Sequence, residues 1–156
     1  MAEEPTVRTR LTGTVVRGAG RGRGLGFPTA NIAADPGTRI PPPAIYSGWV
    51  VRPATGLVHP GTISIGSNPT FVDTEEVHLE VYCHDMSDEF YGERVGLWFV
   101  ARIRDTVKFA SSGELVRAAR RDVLRSEALL ASGHGRRVRA EALAASGRTA
   151  RKSASA

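Results

Sequence analysis

Residues Val77–His84 alternate without a break: Val77, Leu79, Val81 and Cys83 are apolar, while His78, Glu80, Tyr82 and His84 carry polar groups. A period of two places the apolar set on one face of a β-strand and the polar set on the other. Such a strand needs neighbours and a core, so it commits much of the chain to a sheet. Val95–Ile103 repeats the pattern, with Val95, Leu97, Phe99, Ala101 and Ile103 on one side. Thr9–Arg17, Ile45–Val51 and Gly61–Gly66 read as further short strands. Between them, residues 35–43 (DPGTRIPPP) form a loop, because proline fixes φ and removes a ladder donor. Pro53–Pro60 reads as a turn or hairpin loop, and Asn68-Pro69-Thr70 as turn chemistry.

Helical signals come late. Ser111 and Glu114 form a capping box, after which Leu115, Ala118, Ala119 and Val123 share one face. Arg117, Arg121 and Arg125 form a stripe on another face. The pattern predicts a mainly β chain, a small antiparallel barrel capped by a C-terminal α-helix.

The chain has 156 residues, which suits one domain. Its net charge of +5 raises the question of nucleic acid. Residues 1–131, however, balance 15 Lys and Arg against 15 Asp and Glu. The surplus lies in residues 132–156, where six basic residues face Glu141 alone. That segment is rich in Ala, Ser, Gly and Arg. It is expected to be a basic, flexible, solvated tail rather than a polyanion-binding arm, and its removal to leave activity and stability nearly unchanged. A nucleic-acid-binding barrel needs aromatics along a basic groove. Here the body is neutral and aromatics are 6% of the chain, so that class ranks last. No apolar run approaches the roughly 20 residues of a membrane span. The acidic and basic N-terminus lacks the apolar core of a signal peptide. The single cysteine, Cys83, fits a cytoplasmic protein.

Three places can carry chemistry. Residues 18–26 hold Gly18, Gly20, Gly22, Gly24 and Gly26, with Arg21 and Arg23 between them. Glycines allow close backbone approach, and successive amides can cradle phosphate. The segment lacks the Gly-Lys-Ser/Thr of a Walker A loop and does not open a helix, so it also reads as a plain flexible loop. Next, Thr29 and Asn31 lie two residues apart in an extended stretch after Phe27-Pro28, which points both side chains the same way. Their oxygens suit Mg²⁺, although local turn hydrogen bonds would use them equally well. Third, Glu80 sits mid-strand on the polar face. It is either solvent-facing or, if that face lines a pocket, a general base. Zinc chemistry is disfavoured. His78 and His84 stand about 20 Å apart along their strand. HExxH, paired CxxC and GxSxG motifs are all absent.

Taken together, Gly13-x-Val15-x-x-Gly18, GRGRGLGFPTANI ending at Ile32, SIGSNPTF (64–71), EVYCHDMSDEFYG (80–92), FVARIR (99–104), Lys108-Phe109 and Arg121-Asp122 resemble the riboflavin kinase family. The order and spacing of these pieces over about 115 residues, rather than any one of them, make the likeness specific. The resemblance implies a six-stranded antiparallel Greek-key barrel over residues 7–131, followed by the 132–156 tail. It implies transfer of the ATP γ-phosphate to the riboflavin 5′-hydroxyl, giving FMN and ADP, with Mg²⁺ held at Thr29 and Asn31. It implies that Gly18, Gly20, Gly22, Gly24 and Gly26 cover the nucleotide, with Pro28, Thr29 and Asn31 of the PTAN motif beside it. Asn68 and the C-terminal helix then border the site, and Glu80 is the catalytic base.

Ala44-Ile45-Tyr46 stands where the family usually has Gly-Val-Tyr, and His84, Met86 and Asp88 also depart from its common residues. Ala44 and the basic tail support the alternative, a catalytically weak flavin- or nucleotide-binding regulatory module on the same barrel, and intact Thr29, Asn31 and Glu80 oppose it. The other departures bear on affinity and on which flavin is used. Few residues precede the first strand, so the adenylyltransferase domain of bifunctional bacterial relatives is not expected, nor is FAD synthesis. The expected state is a monomeric cytoplasmic enzyme that meets riboflavin/FMN and ATP/ADP, without membrane or nucleic acid.

Overall fold

The computed structural model describes residues 9–17, 26–69, 75–86 and 90–154. Among the described residues six strands form: β1 (Arg10–Val16), β2 (Ala30–Ala34), β3 (Ala44–Arg52), β4 (Leu57–Pro69), β5 (Glu75–Cys83) and β6 (Arg94–Arg104). Two helices follow, α1 (Ser112–Ala131) and α2 (Gly133–Ala154). The strands close a barrel in the order β1-β2-β5-β4-β3-β6, with every pairing antiparallel. β3, β4 and β5 are successive neighbours, and β6 returns to lie beside β3, which is the Greek-key arrangement. The expected barrel is therefore the fold, with one helix more than expected.

Alternation builds the core as the sequence predicts. Leu79, Val81 and Cys83 of β5 point into the barrel with Ile63, Ile65, Val95, Leu97 and Phe99. β3 is buried almost throughout, because its other face meets the helices. There Trp49, Val100 and Ala101 pack against Leu130 and Val138 in a second apolar layer. At Gly48 the strands come so close that a Cβ would stand 2.6 Å from Ile63 Cδ1 and 2.7 Å from the Trp98 carbonyl oxygen.

Four local expectations change. The loop after β3 is a tight turn closed by Gly56 N–H to Arg52 O at 2.9 Å, so β4 begins at Leu57. β4 runs through Asn68 and Pro69, which pair with Glu76 and Glu75 rather than turning. Proline is tolerated there because it ends the ladder. In β6, Ser47 pairs with Ala101 but Gly48 with Phe99, so Val100 is an extra residue. This bulge turns Ala101 away from the interior and into the helix-covered layer. At the start of α1, Glu114 N–H donates to Ser111 Oγ at 3.2 Å, and the Glu114 carboxylate accepts from Ala110 N–H rather than from Ser111.

Of the four apolar residues predicted to share one face of α1, only Ala118 is buried. Ala118, Asp122, Ser126 and Leu130 are buried. Ser126 Oγ donates to Gly61 O at 3.0 Å, and Ser47 Oγ donates to Ser126 O at 3.2 Å. Where a solvated tail was expected, α2 forms and packs. Gly135, Val138 and Ala142 are buried, and Trp49 Nε1–H donates to Gly135 O at 2.9 Å. Small side chains bury little area themselves, but they let the helix approach closely enough to cover Trp49. Among the described residues, no helix is long and apolar enough to cross a membrane.

Candidate functional site

A pocket of about 910 Å³ lies between α1 and the outer face of β2, β5 and β4. Its floor is the polar face that alternation created. Asn31 on β2 is the cross-strand partner of Glu80 on β5, and Ser64 on β4 is Glu80's partner on the other side. Directly paired residues on one face have their Cβ atoms about 4.5–5.5 Å apart. Thr29 Oγ1 donates to Glu80 Oε2 at 3.5 Å, the long limit of a hydrogen bond.

Further along the floor, Thr62 pairs with Tyr82. The Tyr82 ring meets Phe27 edge-on at 5.4 Å and lies 5.6 Å from the His84 ring. His84 Nε2 is 2.8 Å from Thr62 Oγ1. Burial lowers the His84 pKa below its ordinary value, against smaller opposing effects of Glu127 and Asp85. The imidazole is accordingly neutral near pH 7 and braces Tyr82 without adding charge to the floor.

The opposite wall is apolar. Leu115, Val116, Ala119 and Val123 of α1 line it, with Val107 and Phe109 from the segment before the helix. Leu115, Ala119 and Val123, three of the four residues predicted to share one face of the helix, thus line the pocket. Arg104, at the end of β6, joins wall to floor. Its Nε and Nη2 donate to the two Asp122 carboxylate oxygens at 2.8 and 2.7 Å, and Nη1 donates to Asp105 O at 2.9 Å.

Thr29, Asn31 and Glu80 therefore meet on one pocket floor. Gly26 turns at φ +84°, a conformation that favours glycine, just before Phe27 joins the pocket lining beside Tyr82. Pro28 lies between the lining residues Phe27 and Thr29 and does not itself line the pocket. Asn68 lies in β4 two residues beyond Gly66, which lines the pocket. Gly18, Gly20, Gly22 and Gly24 lie outside the described residues, as does Asp88. Ala44 is fully buried in the barrel core and is not part of the pocket lining. Cys83 faces the core, where burial pushes its thiol up to about 12, so it is no nucleophile.

A sequence model described as riboflavin kinase (Flavokinase) matches residues 6–130. This chain belongs to the riboflavin kinase family. It is 36% identical over 119 residues to the bifunctional riboflavin kinase/FMN adenylyltransferase of Listeria monocytogenes, covering 76% of this chain and 37% of that protein. The chain thus spans little more than a third of that relative's length. It is 35% identical to human riboflavin kinase, covering 71% of this chain and 74% of the human protein. The solved riboflavin kinase of Trypanosoma brucei superposes with a TM-score of 0.59 at 28% identity, covering 81% of this chain and 82% of that one.

The oxygen donors on the floor suit the divalent cation that accompanies nucleotides. Thr29 and Asn31 offer neutral hard ligands, few in number, which matches the preference of Mg²⁺ for phosphate and water as its remaining partners. What the sequence left unnoticed in this riboflavin kinase family member is the Arg104–Asp122 pair. Asp122 falls in register with Ala118, Ser126 and Leu130, and a carboxylate in a stripe of small and apolar residues is the signal that could have revealed it.

Proposed function

We propose that this chain is a riboflavin kinase, transferring the γ-phosphoryl group of MgATP to the riboflavin 5′-hydroxyl to give FMN and ADP. The observation that carries this reading is the convergence of Thr29, Asn31 and Glu80 on the polar floor of a pocket with an apolar opposite wall. A flat tricyclic ring suits the α1 wall, and a ribityl chain suits the floor. Glu80 accepts the proton of the 5′-hydroxyl as the oxygen attacks phosphorus. Thr29 and Asn31 hold Mg²⁺, which neutralises charge on the phosphates when bound. The spacing suits the chemistry, because phosphoryl transfer depends on in-line placement and charge neutralisation more than on covalent catalysis.

The catalytic unit is assigned to residues 7–131, acting as a cytoplasmic monomer. Pro28 and Asn68 flank the nucleotide, and Gly18, Gly20, Gly22, Gly24 and Gly26 belong to the segment that covers it. The regulatory alternative drew support from Ala44 and the basic tail; Ala44 is buried in the barrel core and does not line the pocket, which weakens the first of these. The test is FMN formation from riboflavin, ATP and Mg²⁺ by the purified protein, followed by chromatography. Folded protein that binds riboflavin but forms no FMN overturns the kinase reading in favour of the regulatory one.

A further inference from the structure

We infer that Arg104 and Asp122 are positioning residues for the flavin, a clamp that sets how far the apolar wall stands from the Glu80 floor. This rests on the proposed flavin site but assigns it a determinant outside the Thr29, Asn31 and Glu80 group. Arg104 ends β6, opposite Ile45 of β3, and so belongs to the rigid barrel. Its guanidinium reaches three separate parts of the wall. It forks onto both oxygens of Asp122 on α1 and donates to the main-chain carbonyl of Asp105. Its Cζ also lies over the Phe109 ring, 5.6 Å from the centroid. The segment from Asp105 to Ala110 has no regular hydrogen-bonded structure of its own. Arg104 therefore holds the start of that segment by a hydrogen bond and its far end by the stacked ring.

The position along α1 is what makes the pair a clamp. The C-terminal half of α1 is anchored independently, through Ser126 to Gly61 and Ser47 and through Leu130 in the Trp49 layer. The N-terminal half carries Leu115, Val116 and Ala119 towards the pocket. Asp122 stands between the two halves. Its carboxylate is buried and matched to the planar guanidinium in bidentate geometry. Stability alone does not require such a pair, since well-packed apolar residues of similar volume serve as well or better. What an ion pair adds is a fixed distance and angle. Lysine in place of Arg104 keeps the charge but cannot fork, stack and reach the Asp105 carbonyl together.

The experiment compares wild type, Arg104→Lys and Asp122→Asn by backbone amide hydrogen exchange, riboflavin fluorescence titration and steady-state kinetics. Both variants are conservative, and exchange in the barrel strands reports directly that they fold. Expected are faster exchange within residues 105–123 without change at 126–130, and about tenfold weaker riboflavin binding and higher riboflavin KM. The KM for MgATP and kcat should stay within about twofold of wild type. Riboflavin binding unchanged in both variants overturns the clamp, as does an equal loss for riboflavin and MgATP. If wild type makes no FMN but the titrations behave as described, the kinase reading fails and the clamp stands.

Discussion

Asn31 and Glu80 face one another across the β2–β5 ladder, on the side of the sheet that lines the pocket. Strand pairing, not proximity in sequence, brings them together, for they are 49 positions apart. The arrangement sets Asn31 directly beside the proposed base and Thr29 within 3.5 Å of its carboxylate.

Replacing Glu80 with Gln keeps shape and hydrogen-bonding capacity but removes the proposed base. The variant should fold and bind riboflavin like wild type while kcat falls about 10²–10⁴-fold. Steady-state FMN formation beside a riboflavin titration checks this. Near wild-type kcat would remove Glu80 from the mechanism.

Thr29→Ala removes one oxygen donor and the 3.5 Å contact to Glu80. The expected outcome is a KM for MgATP raised about tenfold or more, with riboflavin affinity nearly unchanged. Titrating Mg²⁺ at fixed ATP separates the roles. A shifted Mg²⁺ dependence marks a metal ligand, and an unshifted one marks a structural hydroxyl.

Much of this was legible in the sequence because strand alternation is a local property. The period of two in Val77–His84 placed Leu79 and Val81 inside and Glu80 outside, and both placements hold. Period alone could not foresee the bulge at Val100, which depends on how β6 fits β3 and reverses the face of Ala101. Nor could the helical wheel of α1 show that Leu115 and Val123 line a cavity, since an apolar stripe reads the same whether it meets a core or a ligand. The Arg104–Asp122 pair was hidden for another reason. It joins two elements through side chains 18 positions apart, and only tertiary placement brings them together.

Asp35 supplies a pH-dependent test of the barrel seam. It accepts from Thr12 Oγ1 at 2.6 Å and from Arg94 at 2.5 and 2.7 Å. The Arg94 guanidinium and the Thr12 hydroxyl hold its carboxyl at about 2, below the ordinary 3.8. The folded state therefore binds fewer protons than the unfolded chain between those values. The stabilisation is complete above the ordinary carboxylate value and is lost as pH falls through about 2. Asp35→Asn should lower Tm modestly at pH 7, and the gap from wild type should close towards pH 2. A gap independent of pH would mean the residue acts through packing or turn geometry instead.

Deleting residues 132–156 tests α2, which composition alone reads as dispensable. Trp49 is covered by the helix, its indole N–H is satisfied by Gly135, and Val138 and Leu130 complete the layer. Removing α2 exposes much of that apolar surface, and each large side chain returned to water costs about 1.5–3 kcal/mol. A Tm drop of more than about 5 °C is expected. A second variant separates packing from charge. Gly135→Ala keeps every basic residue of α2, but its Cβ would overlap the carbonyls of Leu129 and Leu130, so it should lower Tm as well. The pocket is lined by α1 and the barrel, not by α2, so kcat of the folded truncated protein should stay within about twofold of wild type at moderate temperature. An unchanged Tm in both variants would show that α2 does not hold the Trp49 layer in solution. A large loss of kcat with Tm unchanged would give the helix a part in turnover that its position away from the pocket does not account for.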